Sequence, residues 1–251
     1  MNPARTSIPI HWHPHVTSTM DVAREMLRNS SSAEVPLKSF AVAAGAQSSG
    51  RGTRGRSWLS SPGNLYLTVA IRAADIPVSL SLVPLRIGTL IFPEIKSRVR
   101  REVCVKLKWP NDILIEQKKA CGVLIEMDGN HLLIGIGCNV FVAPPIGDAA
   151  SDRGRKSTSL VEFSDLDSCT LTSSGDDSLA TENRVLIEEI GRSIVDRISL
   201  WLSERDNEEA VVNDFSENAD WGTQFLREDG TKITPQNINH DGTLQVQVNF
   251  V

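Results

Sequence analysis

Apolar residues along this chain recur mostly at every second position, in short runs bounded by Gly, Pro, Asn and Asp, with helical spacing confined to a few stretches. Residues 8–15, 38–46 and 65–71 have the strand pattern, and 105–108, 120–127 and 131–140 add three more strand-like runs. A short apolar run at 113–115 follows the turn residues Trp109-Pro110-Asn111-Asp112, and Asp128-Gly129-Asn130 between two runs signals a hairpin. Helical spacing marks 22–28, with Thr17, Ser18 and Thr19 placed to cap it, and 79–100, where Pro84 and Pro93 threaten continuity. It returns over 184–205 and, briefly, 208–215. The tail at 221–251 alternates again between turns at Asp229-Gly230 and Asp241-Gly242. Many strands and few helices predict an α+β fold, a mixed, largely antiparallel sheet packed with helices, plus a small C-terminal β appendage. Residues 1–205 are expected to form the main domain and 206–251 the appendage, too short to stand alone. The Ser/Asp/Thr-rich stretch 164–178 reads as a surface insertion with little driving force to order.

Composition narrows the class. An apolar content of 40% over 251 residues permits a sizeable core without staples. No run of about 18 apolar residues suggests a membrane helix, and the first residues lack the apolar core of a secretory signal. The four cysteines, Cys104, Cys121, Cys138 and Cys169, form no CxxC pair. Three of them fall in strand-like runs and are expected to be reduced core residues of a cytoplasmic protein. His11, His13 and His15 share a strand face, but no carboxylate or cysteine accompanies them, so a metal site is not expected.

Candidate chemistry concentrates at residues 47–58, QSSGRGTRGRSW. Gly50, Gly52 and Gly55 free the backbone for positive φ and close approach, while Arg51, Arg54 and Arg56 add cationic forks, a combination suited to wrapping an anion. Such a tract also fits RNA contact, although it is single, lies between apolar strands and belongs to a chain of net charge -5. Ser18 and Thr19 fit either a helix cap or the polar head of a small ligand. Lys119, bracketing a strand beside Lys108, Asn111 and Asp112, fits either a solvated edge residue or a charge placed against a phosphate.

Four segments in order, GRGTRGRSW at 50–58, KWPND at 108–112, KKACGVLIE at 118–126 and GIGCN at 135–139, resemble the biotin protein ligases, or holocarboxylase synthetases. The resemblance covers residues 17–140 well and the rest loosely, and the RRxSGGG-type segment of the related lipoate ligases is absent. It implies a class II synthetase-like catalytic domain that uses ATP and Mg²⁺ to convert biotin into biotinyl-5′-AMP. The partner it implies is the biotin-carrier domain of a carboxylase, which receives biotin on one lysine. Neither DNA nor membrane is an implied partner, and either a monomer or a homodimer is compatible. By the same resemblance, Ser18, Thr19, Gln47, Gly50, Arg51, Lys119 and Gly122 would hold biotin. Arg51, Thr53, Arg54, Arg56, Trp58, Asn111, Lys119 and Asn139 would face the nucleotide. Lys119, Arg51 and Asp112 would carry the chemistry, Asp112 receiving the acceptor lysine, with Mg²⁺ arriving on ATP rather than at a protein metal site. Two departures stand out: Thr53 occupies a position where the family's loop often has arginine, and no helix-turn-helix segment precedes Thr17. The alternative is a non-catalytic biotin- or nucleotide-binding protein on the same fold.

Overall fold

The computed structural model describes residues 7–30, 38–144, 156–165, 177–226 and 230–249. In chain order the elements are β1 (Ile10–His13), α1 (Thr19–Ser30), β2 (Phe40–Ala44), β3 (Leu65–Arg72), α2 (Val83–Lys96), β4 (Val105–Lys108) and β5 (Asp112–Ile115). They continue with β6 (Lys118–Asp128), β7 (His131–Cys138), α3 (Asp177–Ser203), α4 (Glu208–Asn218), β8 (Phe225–Leu226), β9 (Lys232–Ile238) and β10 (Leu244–Asn249). The alternating runs pair into one seven-stranded sheet ordered β1-β2-β3-β7-β6-β5-β4, alongside a separate three-stranded sheet ordered β10-β9-β8. Within the large sheet β1 is parallel to β2, which a crossover through α1 makes possible, and all other neighbours are antiparallel. This is the α+β architecture that the pattern predicts.

Both faces of the sheet are covered, so β2 is buried at every position. Phe40 and Val42 point towards α1, where they meet Met20, Ala23 and Leu27, while Ala41 and Ala43 point into the larger core under α2, α3 and α4. The period of two in a strand sorts these residues onto opposite faces. The helix α2 survives both of its prolines: Pro84 sits in the first turn, where a missing N–H costs nothing, and Pro93 lies near the end. Helix α3 begins seven residues before the periodic stretch suggests, at Asp177.

Several expectations need correction. Cys121 and Cys138 are buried thiols, but Cys104 is exposed, because it precedes the edge strand β4 and points outward. Ahead of the expected insertion, Thr158, Ser159, Leu160 and Val161 are buried, and so is Ser164, its first residue. Of the expected insertion 164–178, Ser164 therefore belongs to the packed body and Asp177 to α3, while residues 166–176, with Cys169, lie outside the described residues. Among the described residues no helix is long and apolar enough to cross a membrane.

Candidate functional site

A cavity of about 170 Å³ opens on the α1 face of the sheet, beyond the N-terminus of that helix. Its floor comes from β6 and β7, and one irregularity decides which side chains reach it. Between β5 and β6 the register runs Asp112↔Gly122 and Ile113↔Cys121, then jumps to Leu114↔Lys119. Ala120 is thus an extra residue in β6, and a bulge of this kind turns the side chains beyond it to the opposite face. Ala120 and Cys121 both enter the core, whereas Lys119 joins Gly122 in lining the cavity. A regular strand would have aimed Lys119 into the core.

Lys119 is held on three sides. Its Nζ lies 2.7 Å from Asp112 Oδ1 and 5.2 Å from the centre of the Trp58 ring. Its backbone is gripped by residues 156–158: Lys119 N–H donates to the Lys156 carbonyl, and Thr158 N–H donates to the Lys119 carbonyl. Asp112 is itself buried, and its second oxygen faces the Lys108 Nζ at 3.5 Å. Asp112 is thus shared by two lysines, of which Lys119 lines the cavity. Lys119 and the Arg51 guanidinium, lining one cavity, suit an anionic ligand there.

The indole of Trp58 lies over the two glycines of the floor. A Cβ at Gly137 would stand 2.6 Å from Trp58 Cε2, and one at Gly122 would stand 3.0 Å from Cζ3, so only glycine admits the ring this close. At the opposite wall, Ser18 caps α1 by accepting from Met20 N–H, and Thr19 N–H donates to Gln47 Oε1 at 2.9 Å. Thr19 Oγ1 also meets Thr68 Oγ1 at 2.8 Å, and Gln47 Nε2 donates to Ser60 Oγ. Of the two hydroxyls, Ser18 caps the helix and Thr19 turns to Gln47 and Thr68, and both residues line the cavity. Tyr66, beneath them, donates its hydroxyl to the Ser61 carbonyl; burial pushes its pKa up to about 12, so it stays protonated.

The Gly/Arg segment is a small folded hairpin instead of an open loop. Arg51 pairs with Ser57, Trp58 N–H donates to the Gly50 carbonyl, and Gly52 N–H donates to the Arg56 carbonyl. Of its three glycines only Gly55 adopts positive φ, at +73°, and Arg54 takes the left-handed conformation beside it. Gly50 serves by lacking a side chain, since a Cβ there would come within 2.4 Å of Ser60 Oγ. Thr53 is engaged within the tip, accepting from Arg56 through both its carbonyl and its hydroxyl.

The structure therefore gathers Ser18, Thr19, Gln47, Arg51, Thr53, Arg56, Trp58, Asn111, Asp112, Lys119, Gly122 and Asn139 around one cavity. Gly50 packs behind Gln47, and Arg54 is exposed at the hairpin tip, so these two do not line it. Asn111 donates from its side chain to the Val123 carbonyl, fixing the turn that carries Asp112. Asn139 donates to the Thr158 carbonyl at 3.0 Å, and its Oδ1 is buried without a hydrogen-bond partner among the described residues. Sequence reasoning missed Met20, Gly135, Gly137, Pro144 and Ser157. The paired glycines of GIGCN were a usable signal for the floor, whereas nothing local marks Ser157.

The glycine-floored cleft and its converging cations, set on this mixed sheet, lie largely within the span that the model of a known family matches. The family model described as "Biotin/lipoate A/B protein ligase family" matches residues 12–140, just over half of the chain, and the chain belongs to that family. It is 35% identical over 100 residues to the bifunctional ligase/repressor BirA of Escherichia coli, a match covering 38% of this chain and 30% of that protein. Against the biotin–[acetyl-CoA-carboxylase] ligase of Mycobacterium tuberculosis it is 30% identical over 129 residues, covering 46% of this chain and 48% of that protein. The match thus spans less than half the length of either relative. The solved biotin protein ligase of Leishmania major in complex with biotinyl-5-AMP superposes with a TM-score of 0.67 at 29% identity, covering 96% of this chain and 95% of that one.

Proposed function

We propose that the protein is an ATP-dependent biotin protein ligase working in the cytoplasm on a biotin-carrier domain. The observation that carries the reading is the convergence of Arg51 and Lys119, from segments 68 residues apart by their numbers (119 − 51), on one cavity walled by Ser18, Thr19 and Gln47. The likeness to a biotin protein ligase along nearly the whole chain supports it, and the free thiols of Cys121 and Cys138 suit a reducing compartment.

In the first step a biotin carboxylate oxygen attacks the α-phosphorus of ATP. The bond to the β-phosphate oxygen breaks, and pyrophosphate leaves with its electron pair. An anion approaches a polyanion, so the barrier is electrostatic, and Lys119 and Arg51 offset the charge that redistributes in the transition state. Mg²⁺ arriving with ATP would supply further neutralisation of the phosphate charge. As the phosphate draws Lys119 away, the Asp112 carboxylate becomes available to an incoming acceptor lysine. That lysine attacks the acyl carbon as a neutral amine, AMP leaves, and the amine proton is lost. The hairpin at residues 50–58 covers the anhydride and limits its hydrolysis.

The test is incubation with biotin, MgATP and a carrier domain, scoring biotin-dependent ATP–pyrophosphate exchange and mass gain on one lysine. Both are expected, and Lys119→Ala should slow exchange by about 10²-fold or more. Biotin or ATP binding without exchange would establish the non-catalytic alternative, and salt-sensitive RNA binding without response to biotin would establish the other.

A further inference from the structure

Arg51 is anchored at the mouth of the cavity. Its Nη1 donates to Asp21 Oδ1 at 2.7 Å, and its Nε lies 4.0 Å from Glu126 Oε1. Arg24, one turn along α1, bonds to Asp21 at 3.3 Å and also to Glu126. Four residues of alternating charge thereby join the first turn of α1, the Gly/Arg hairpin and β6. Within this cluster the Nε and Nη2 of Arg51 are buried without hydrogen-bond partners among the described residues. A guanidinium presents its donors in a rigid planar fork, so fixing one corner fixes the direction of the others.

The geometry points to Asp21 as a positioning residue: by holding Nη1 of Arg51 while Nε faces Glu126, it fixes the guanidinium at the cavity and leaves the buried Nη2 for the anionic ligand. The inference rests on the ligase reading and extends it, since Asp21 does not line the cavity itself. The cluster also bears on closure. A hairpin tied to α1 before the ligand arrives has less ordering to do when it covers the adenylate. A competing role must be separated, because an acidic residue in the first turn also stabilises a helix through its dipole.

The experiment follows release of preformed biotinyl-adenylate from purified protein, with stability measured in parallel. Asp21→Asn keeps the shape and removes the charge, and it should speed release by about tenfold, the worth of one charge-assisted hydrogen bond. Asp21→Glu should restore most of the retention, and Asp21→Asn added to Arg51→Ala should release no faster than Arg51→Ala alone. Wild-type retention by Asp21→Asn with a lowered melting temperature would reduce Asp21 to its helix role and overturn the inference while the ligase reading stands. Additive losses in the double variant would overturn it equally. Failure of the wild-type protein to form any adenylate would overturn the ligase reading, and this inference with it.

Discussion

Glycine, tryptophan and lysine meet on the cavity floor in an order that contact distances dictate. The Trp58 ring can lie flat only because Gly122 and Gly137 carry no side chain, and its face then receives the Lys119 ammonium. Gly137→Ala would press a methyl into the ring, and overpacking of this kind costs about 1–3 kcal/mol. The cost should vanish when Trp58→Ala is added, so a urea-unfolding double-mutant cycle should show strong coupling. Additive effects would mean that the ring does not rest on that glycine. Lys119 shows why single residues are hard to judge from sequence. Flanked by apolar runs, it fits an edge position equally well, and only the extra residue Ala120 turns it into the site.

At the scale of elements, what was legible followed local chemistry. The hairpin between β6 and β7 announced itself through Gly129, which takes positive φ as such turns require. The hairpin between β5 and β6 was silent, because Glu116 and Gln117 adopt positive φ without the glycine or asparagine that would mark them. The parallel β1–β2 pairing and the division of helices between the two faces depend on long-range packing and left no periodic trace. The segment 156–165 was missed for a related reason: its main chain bonds the backbone of β6 at Lys119 and thereby buries polar residues such as Thr158 and Ser159, which hydropathy cannot register. Glu162 fastens this segment through Lys118 and the Thr158 hydroxyl. Burial alone would raise its carboxyl, but the hydrogen bonds from Lys118 and Thr158 outweigh burial and hold the pKa below its ordinary 4.5. A lowered pKa means that the folded state prefers the anion. The fastening is therefore complete at neutral pH, weakens below 4.5 and is lost as pH falls through the folded-state value. Hydrogen exchange at the Lys119 and Thr158 amides, corrected for intrinsic rates, should accelerate across that window. Glu162→Gln should show fast exchange already at neutral pH, and a pH response unchanged in that variant would assign the loosening elsewhere.

For the molecule as a whole, the question is how the C-terminal segment stands, given that among the described residues its three strands bury little beyond Ile238 and so lack an apolar face of their own. Helix α4 supplies the connection. Phe215 is fully buried, a Cβ on Gly88 of α2 would lie 3.6 Å from its ring, and just beyond the helix Ala219 pairs with Leu107 to cover the edge of β4. An uncovered edge would invite pairing with other chains, so this contact also protects solubility. The three-stranded sheet then leans on the same region: Trp109 Nε1 donates to the Gly242 carbonyl at 2.8 Å, and Ile238 joins the main core. Trp109 stands two residues before Asn111 and three before Asp112, so the appendage buttresses the turn that presents both. The 206–251 segment and the main body should accordingly unfold as one cooperative unit. Phe215→Ala, which removes the hub of the contact, should destabilise that unit by about 3–5 kcal/mol. Two probes decide the matter, hydrogen exchange in β9 and in β3, followed through a urea titration. Coincident transitions, both shifted by Phe215→Ala, fit a single unit, whereas early loss of β9 with β3 unmoved would make the appendage a separate body and detach it from the presentation of Asp112.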